Sequence, residues 1–203
     1  MGTRNLITVY SNGEYKVAQY GQWDGYPSGQ GIDILEFLRS CNIKRFKESL
    51  HNAEWITHEE IRHRWLGYGH DIDEGDGFVS CDLADRFDKR YPELSRDTGA
   101  KILNIIYGST DTVKIKNSID FANDSLFCEF AYCVDLDKMT FEVFEGFNNS
   151  PIDKSERFYS EEATESRSGD KYYPVRIIAT FDLNNLPTNE DFLKQCEPQE
   201  ECE

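Results

Sequence analysis

The sequence predicts an α+β fold, an antiparallel or mixed sheet built from N-terminal and C-terminal hairpins and covered by helices from the middle of the chain. Three observations carry this reading. Two apolar runs near the start flank Ser11-Asn12-Gly13-Glu14, and Asn-Gly is the strongest short hairpin signal because both residues tolerate the positive φ of a type I′ turn. A second pair of runs flanks Asp135-Leu136-Asp137-Lys138, a sequence rich in turn formers. Between the hairpins the apolar residues follow helical spacing and strands do not alternate with helices, which disfavours a doubly wound parallel sheet.

Taken in order, Leu6–Tyr10 and Tyr15–Tyr20 read as the first two strands. A Gly-rich loop, Gly21–Gly31, follows. Ile34, Leu35, Phe37 and Leu38, then Ile43, Phe46 and Leu50, are spaced for one helix or two short ones. Thr57 with Glu60 three residues on forms a capping box for a short helix carrying Ile61, Trp65 and Leu66. Gly67–Gly77 reads as a loop. Leu83 and Phe87 suit one amphipathic turn before Pro92 breaks the chain. Ser95 is positioned to cap a helix with the face Ile102, Leu103 and Ile106, ended by Gly108 at the C′ position. Phe127–Val134 and Thr140–Phe144 are the strands of the second hairpin. Asp153–Asp170 is rich in Ser and Glu and poor in aliphatics, the composition of a mobile segment. Tyr173–Phe181 is a last strand, and Thr188 caps a short helix with Phe192 and Leu193. Residues 1–196 are expected to form one domain, and 197–203 a disordered acidic tail.

A chain of 203 residues with 13 Phe, 11 Tyr and 3 Trp has enough apolar surface to bury a core without a disulfide or metal. The six cysteines show no C-x-x-C spacing and are expected as reduced thiols; Cys128 and Cys133, five apart, would face opposite sides of a strand. No apolar stretch approaches a membrane span, no signal peptide opens the chain, and residue 6 is Leu where a myristoylation motif wants Ser or Thr. The expectation is a cytoplasmic protein with no membrane partner and no cofactor. The net charge is −16, and all of it lies beyond residue 70: residues 1–70 hold 8 Lys/Arg and 8 Asp/Glu, residues 71–203 hold 14 and 30. Such a charge repels phosphate backbones, which excludes direct nucleic-acid binding through this half. It serves solubility, or it selects a basic partner surface.

The segment Gln19–Gly31 is the most distinctive in the chain. It carries four glycines, three glutamines, two tyrosines, a tryptophan and one carboxylate just ahead of a helix. Glycines let a backbone approach a ligand closely, aromatic faces stack on planar groups, amides read their edges, and a helix N-terminus favours an anion. With Arg4 as the nearest cation, the candidate ligand-binding residues are Arg4, Gln19, Gln22, Trp23, Asp24, Tyr26 and Gln30. The partner would be a small polar ligand or another protein's surface. The competing reading is architectural: Trp23, Tyr26 and Pro27 pack on the first hairpin and the glycines only permit the turns. Neither G-x-x-x-x-G-K-[S/T] nor G-x-G-x-x-G is present. His58 and His63 are five apart and do not make the i, i+4 pair of a zinc helix. Asp71-Ile72-Asp73-Glu74-Gly75-Asp76-Gly77 departs from a calcium loop at its sixth and twelfth positions and reads as an acidic turn.

The opening Met1-Gly2-Thr3-Arg4-Asn5-Leu6, the run Val17–Gly31 and the later Phe130–Asp137 resemble a family of uncharacterised proteins of bacteria, their phages and fungi. That resemblance implies a functional loop and no particular activity; a phage-type inhibitor of a host system is one role it implies. A fainter similarity joins the chain to N-terminal-nucleophile hydrolases, although Thr3 stands one place too late to be the mature first residue. Two functions follow. One is a non-enzymatic binding or regulatory protein using loop 19–31. The other is a small hydrolase or transferase at the same loop, with Asp24 as acid/base and Arg4 stabilising an anion.

Overall fold

A computed structural model describes residues 2–74 and 79–197. The centre of the acidic turn (75–78) and the acidic tail beyond Glu197 lie outside the described residues. In chain order the elements are β1 (Asn5–Ser11), β2 (Glu14–Gly21), α1 (Ile32–Ser40), α2 (Ile43–Ser49), β3 (Ala53–Trp55), α3 (His58–Leu66), α4 (Cys81–Arg90), α5 (Lys101–Gly108), β4 (Val113–Ile115), β5 (Phe130–Asp135), β6 (Thr140–Glu145), β7 (Thr164–Glu165), β8 (Lys171–Tyr172), β9 (Arg176–Asp182) and α6 (Asn189–Cys196).

The main sheet is mixed, with strand order β2-β1-β5-β6-β9. Both expected hairpins form: β1 pairs β2 across Asn12-Gly13, where both residues have positive φ (56° and 81°), and β5 pairs β6. What joins them is a parallel ladder between β1 and β5, in register from Asn5↔Phe130 to Tyr10↔Asp135. A parallel neighbour cannot be reached by a tight turn, and here the long crossover between β2 and β5 is the stretch that holds helices α1–α5. The Asp137 carboxylate clips the two hairpin turns together by accepting the Asn12 and Gly13 amides, both at 2.9 Å. These hydrogen bonds, with Lys47 alongside, hold its carboxyl at about 2. Two small ladders, β3 with β4 and β7 with β8, lie outside the main sheet and have no counterpart in the sequence reading.

Alternation along the strands divides the core in two. Ile7, Val9, Val17, Tyr132, Val134, Phe141 and Val143 face α1, α2, α5 and α6. Leu6, Ala18, Ala131, Cys133 and Phe144 face the other way, against Ala122, Phe158 and Val175. The second face is therefore covered by a short 3-10 helix (Ile119–Asn123) and irregular chain rather than by α-helices.

Several expectations are corrected here. The Asp153–Asp170 segment was expected to be mobile, yet Phe158 is buried and the Arg157 guanidinium is 9% exposed, held between Asp135 and Glu142. Its composition is polar, but one Arg and one Phe fasten it to the sheet. Ser95 does not cap α5: its hydroxyl donates to Asp88 at 2.7 Å, and α5 starts six residues later. Gly108 ends the helix from inside and Ser109 follows it as the C-cap. Cys128 and Cys133 do not face opposite sides; both lie in the second core, because β5 begins only at Phe130 and the parity rule does not reach Cys128. Among the described residues no helix is long and apolar enough to cross a membrane.

Candidate functional site

The loop between β2 and α1 is built as a rigid corner, and most of its polar groups are spent on building it. Asp24 takes a positive φ of 54°, which turns the chain so that its carbonyl receives the Gln30 amide at 2.9 Å. The Gly25 amide donates to the Thr3 carbonyl at 3.0 Å and the Gly25 carbonyl accepts the buried Tyr132 hydroxyl at 2.7 Å. A Cβ at Gly25 would stand 2.7 Å from that Thr3 carbonyl, so only glycine fits. Pro27–Gly31 forms one π-helical turn that runs straight into α1.

The candidate residues separate into two groups. Gln19 and Gln30 point inward. Gln19 Nε2 donates to the Ser95 carbonyl at 3.0 Å, and Gln30 Oε1 accepts the amide of Ala100, the residue just ahead of α5, at 2.6 Å, while α5 itself has no side-chain cap. Gln22 accepts the Tyr20 hydroxyl at 2.6 Å and its amide donates to the Arg96 carbonyl at 2.9 Å. Burial raises the pKa of the Tyr20 phenol, against the pull of Arg4 and Arg96. The helix N-terminus expected to attract an anion already holds one, since the Ser28 amide donates to Glu197 at 2.9 Å.

Trp23, Asp24 and Tyr26 point outward. Trp23 is 46% exposed and Tyr26 52% exposed, so the architectural reading, in which both pack on the hairpin, is corrected; only Pro27 of that trio is buried. The indole N–H is anchored to Asp97 at 2.8 Å and the Tyr26 ring leans on Phe130 with centroids 5.8 Å apart. Arg4 lies over the Phe127 ring at 4.5 Å, with Glu129 3.9 Å from its Nε. Thr3 is buried beneath this corner.

These side chains belong to a larger surface that the sequence did not reveal. Among the described residues seven large hydrophobic side chains are exposed, and five stand at one end of the main sheet: Trp23, Tyr26, Phe127, Phe147 and Ile177. The register explains why. Gly21, Asn5, Phe130, Glu145 and Arg176 are neighbours across the five strands, and each exposed residue lies within a few positions of one of them. At about 4.8 Å per strand the row is about 19 Å wide. Phe147 is the most exposed, at 56%, on a positive φ of 51° fixed by its amide donating to Ser125 at 2.7 Å. Nothing local distinguishes Phe127, Phe147 or Ile177 in the sequence; only the strand order gathers them.

The weaker motifs resolve as surface features. Arg62 holds Asp71 at 2.7 Å and Asp73 at 3.1 Å, and the hydrogen bond from Arg62 draws the Asp71 carboxyl down to about 2. His58 stands 3.3 Å from Asp73. Among the described residues no group of three or more His, Cys, Asp or Glu side chains is placed to hold a metal ion.

Comparisons of the chain with protein-family models, with curated proteins and with solved structures find no match. The molecule is thus described by its own geometry: a mixed five-stranded sheet with α-helices on one face and an aromatic row across one end.

Proposed function

We propose that the protein is a non-enzymatic binding protein that docks a partner protein across the aromatic end of its sheet. The observation that carries this reading is the concentration of five exposed large hydrophobic side chains along that one end. A concentration of exposed apolar side chains on one part of a surface marks interaction sites, and Trp and Tyr are among the residues enriched as interface anchors. The anchors are pre-positioned: Trp23 by Asp97, Tyr26 by Phe130, Phe127 by Arg4 and Phe147 by its positive φ. Little ordering remains to be done on binding, which lowers its entropic cost.

The acid balance sets the partner's chemistry. Asp24, Asp97, Glu129 and Glu145 border the row, and Glu129 and Glu145 are the acids beside Arg4 and Arg176. With a net charge of −16, a basic protein surface is favoured and a nucleic acid is repelled.

The test is capture of a partner from the native host at low salt, followed by reconstitution with the purified partner. Phe147→Ser and Tyr26→Ser change exposed side chains, so both variants are expected to fold. Each is expected to weaken the reconstituted complex by about tenfold or more, as for an anchor residue. Undiminished affinity in the double variant, measured by calorimetry, would remove the sheet end from consideration.

A further inference from the structure

The outer edge of β2 carries a second, chemically different feature. Strand residues that face outward alternate with those that face β1. The Ala18 carbonyl accepts the Ser118 amide at 3.0 Å, and the Gln22 amide donates to the Arg96 carbonyl at 2.9 Å, so Ala18 and Gln22 both face outward. Tyr20 lies midway between them and turns its own amide group to the same edge. Its carbonyl is taken by Gln19 Nε2 at 3.2 Å, while its N–H faces the gap between the two bridges.

That gap is a cleft of about 130 Å³ lined by Gln19, Tyr20, Leu94, Arg96, Lys116 and Ser118. A water occupies roughly 30 Å³ of liquid, so the volume matches on the order of four waters, or one tetrahedral oxyanion. Two of the six lining residues are cations and none is a carboxylate, in a chain where acids outnumber bases 38 to 22. Each cation has one acid beside it, and each of those acids is shared: Asp88, which faces Lys116, accepts the Ser95 hydroxyl at 2.7 Å, and Asp97, 3.9 Å from Arg96 Nε, accepts the Trp23 indole N–H at 2.8 Å. Arginine, lysine, a hydroxyl and a backbone N–H are the donor set that oxyanions select.

We infer that this cleft binds the phosphate group of a small molecule, with Arg96 and Lys116 supplying charge and the Tyr20 amide and Ser118 hydroxyl fixing orientation. Leu94 and the Tyr20 ring offer an apolar wall for the remainder of the ligand. The site touches the aromatic row only through Asp97, which lies between Arg96 and Trp23, and phosphate binding here does not depend on that surface binding a protein.

Titration of the full chain with inorganic phosphate, at constant ionic strength, followed by amide NMR, tests it. Saturable shifts are expected at the amides of Tyr20, Arg96 and Ser118. The Arg96→Gln/Lys116→Gln double variant is expected to weaken the apparent affinity by about tenfold or more, while amides of β5 and β6 stay unmoved and report an intact fold. Lys116→Glu, a single surface change, is expected to abolish the shifts. A parallel titration with acetate separates phosphate from carboxylate: weaker, non-saturating shifts with acetate support the assignment. Absence of saturable shifts with phosphate, or shifts of equal size in the variants, would overturn it, as would tighter binding of acetate.

Discussion

Gln30 and Trp23 sit seven positions apart in one loop and do opposite work. Gln30 is folded inward, where its carbonyl oxygen is the partner of the Ala100 amide ahead of α5 and its Nε2 donates to the Trp23 carbonyl at 3.3 Å. Gln30→Ala leaves that amide unpaired, and a loss of about 1–2 kcal/mol is expected in urea unfolding. Trp23 is half in solvent. Its replacement by Ala is expected to cost clearly less than the roughly 3–5 kcal/mol of a buried aromatic, so thermal stability changes little while partner binding falls. Gly25→Ala tests the corner itself. The added methyl meets the Thr3 carbonyl and Asn5, and a destabilisation of about 1–3 kcal/mol is expected from overpacking.

Among the elements, the strap across the second face of the sheet depends on Arg157. Its guanidinium meets both Asp135 (1% exposed side chain) and Glu142 (7%), and its Cζ lies over the Tyr10 ring at 5.2 Å. Removing one partner of a buried pair leaves the other charge unpaired, which costs about 3–5 kcal/mol. Arg157→Met is therefore expected to destabilise the protein by that order and to speed hydrogen exchange in residues 150–175 before the β5–β6 hairpin is affected. The Asp137 clip between the two hairpins gives a pH signature. Its folded pKa of about 2 lies below the ordinary value of about 3.9. A lowered carboxyl pKa contributes stability above the unfolded value and loses it as pH falls through the folded one. The Tm difference between the wild type and Asp137→Asn is expected to be full above about pH 5 and to fade between about pH 4 and pH 2. A difference that stays constant over that interval would show that the carboxylate is not the linking group.

For the molecule as a whole, charge and shape divide the labour. In the proposed docking the aromatic row would supply contact area, and the −16 charge would act at longer range. Association with a basic partner is expected to slow steeply between about 0.01 M and 0.15 M salt, as the Debye length shrinks from about 30 Å to about 8 Å, while dissociation changes little. Stopped-flow measurement of both rates separates steering from anchoring. An association rate indifferent to salt would mean that the acidity serves solubility alone.

What the sequence determined by itself is local. The Asn12-Gly13 turn, the Thr57–Glu60 capping box and the Thr188 cap of α6 all form as read, because each depends on residues within a few positions of one another. The α+β class followed from the same short-range signals. The loop 19–31 was legible as unusual, since its glycines and aromatics are adjacent in the chain. Which of its side chains face solvent was not, because Gln19 and Gln30 find their partners at Ser95 and Ala100, about 70 or more positions away. The same holds for the β1–β5 ladder, the Arg157 anchor and the gathering of Phe127, Phe147 and Ile177 beside Trp23 and Tyr26. These are contacts between distant segments, and a side chain of one chemical type can be core or surface according to the strand order that surrounds it. Only the tertiary structure decided that order, and with it which large apolar residues were left exposed at the sheet's end.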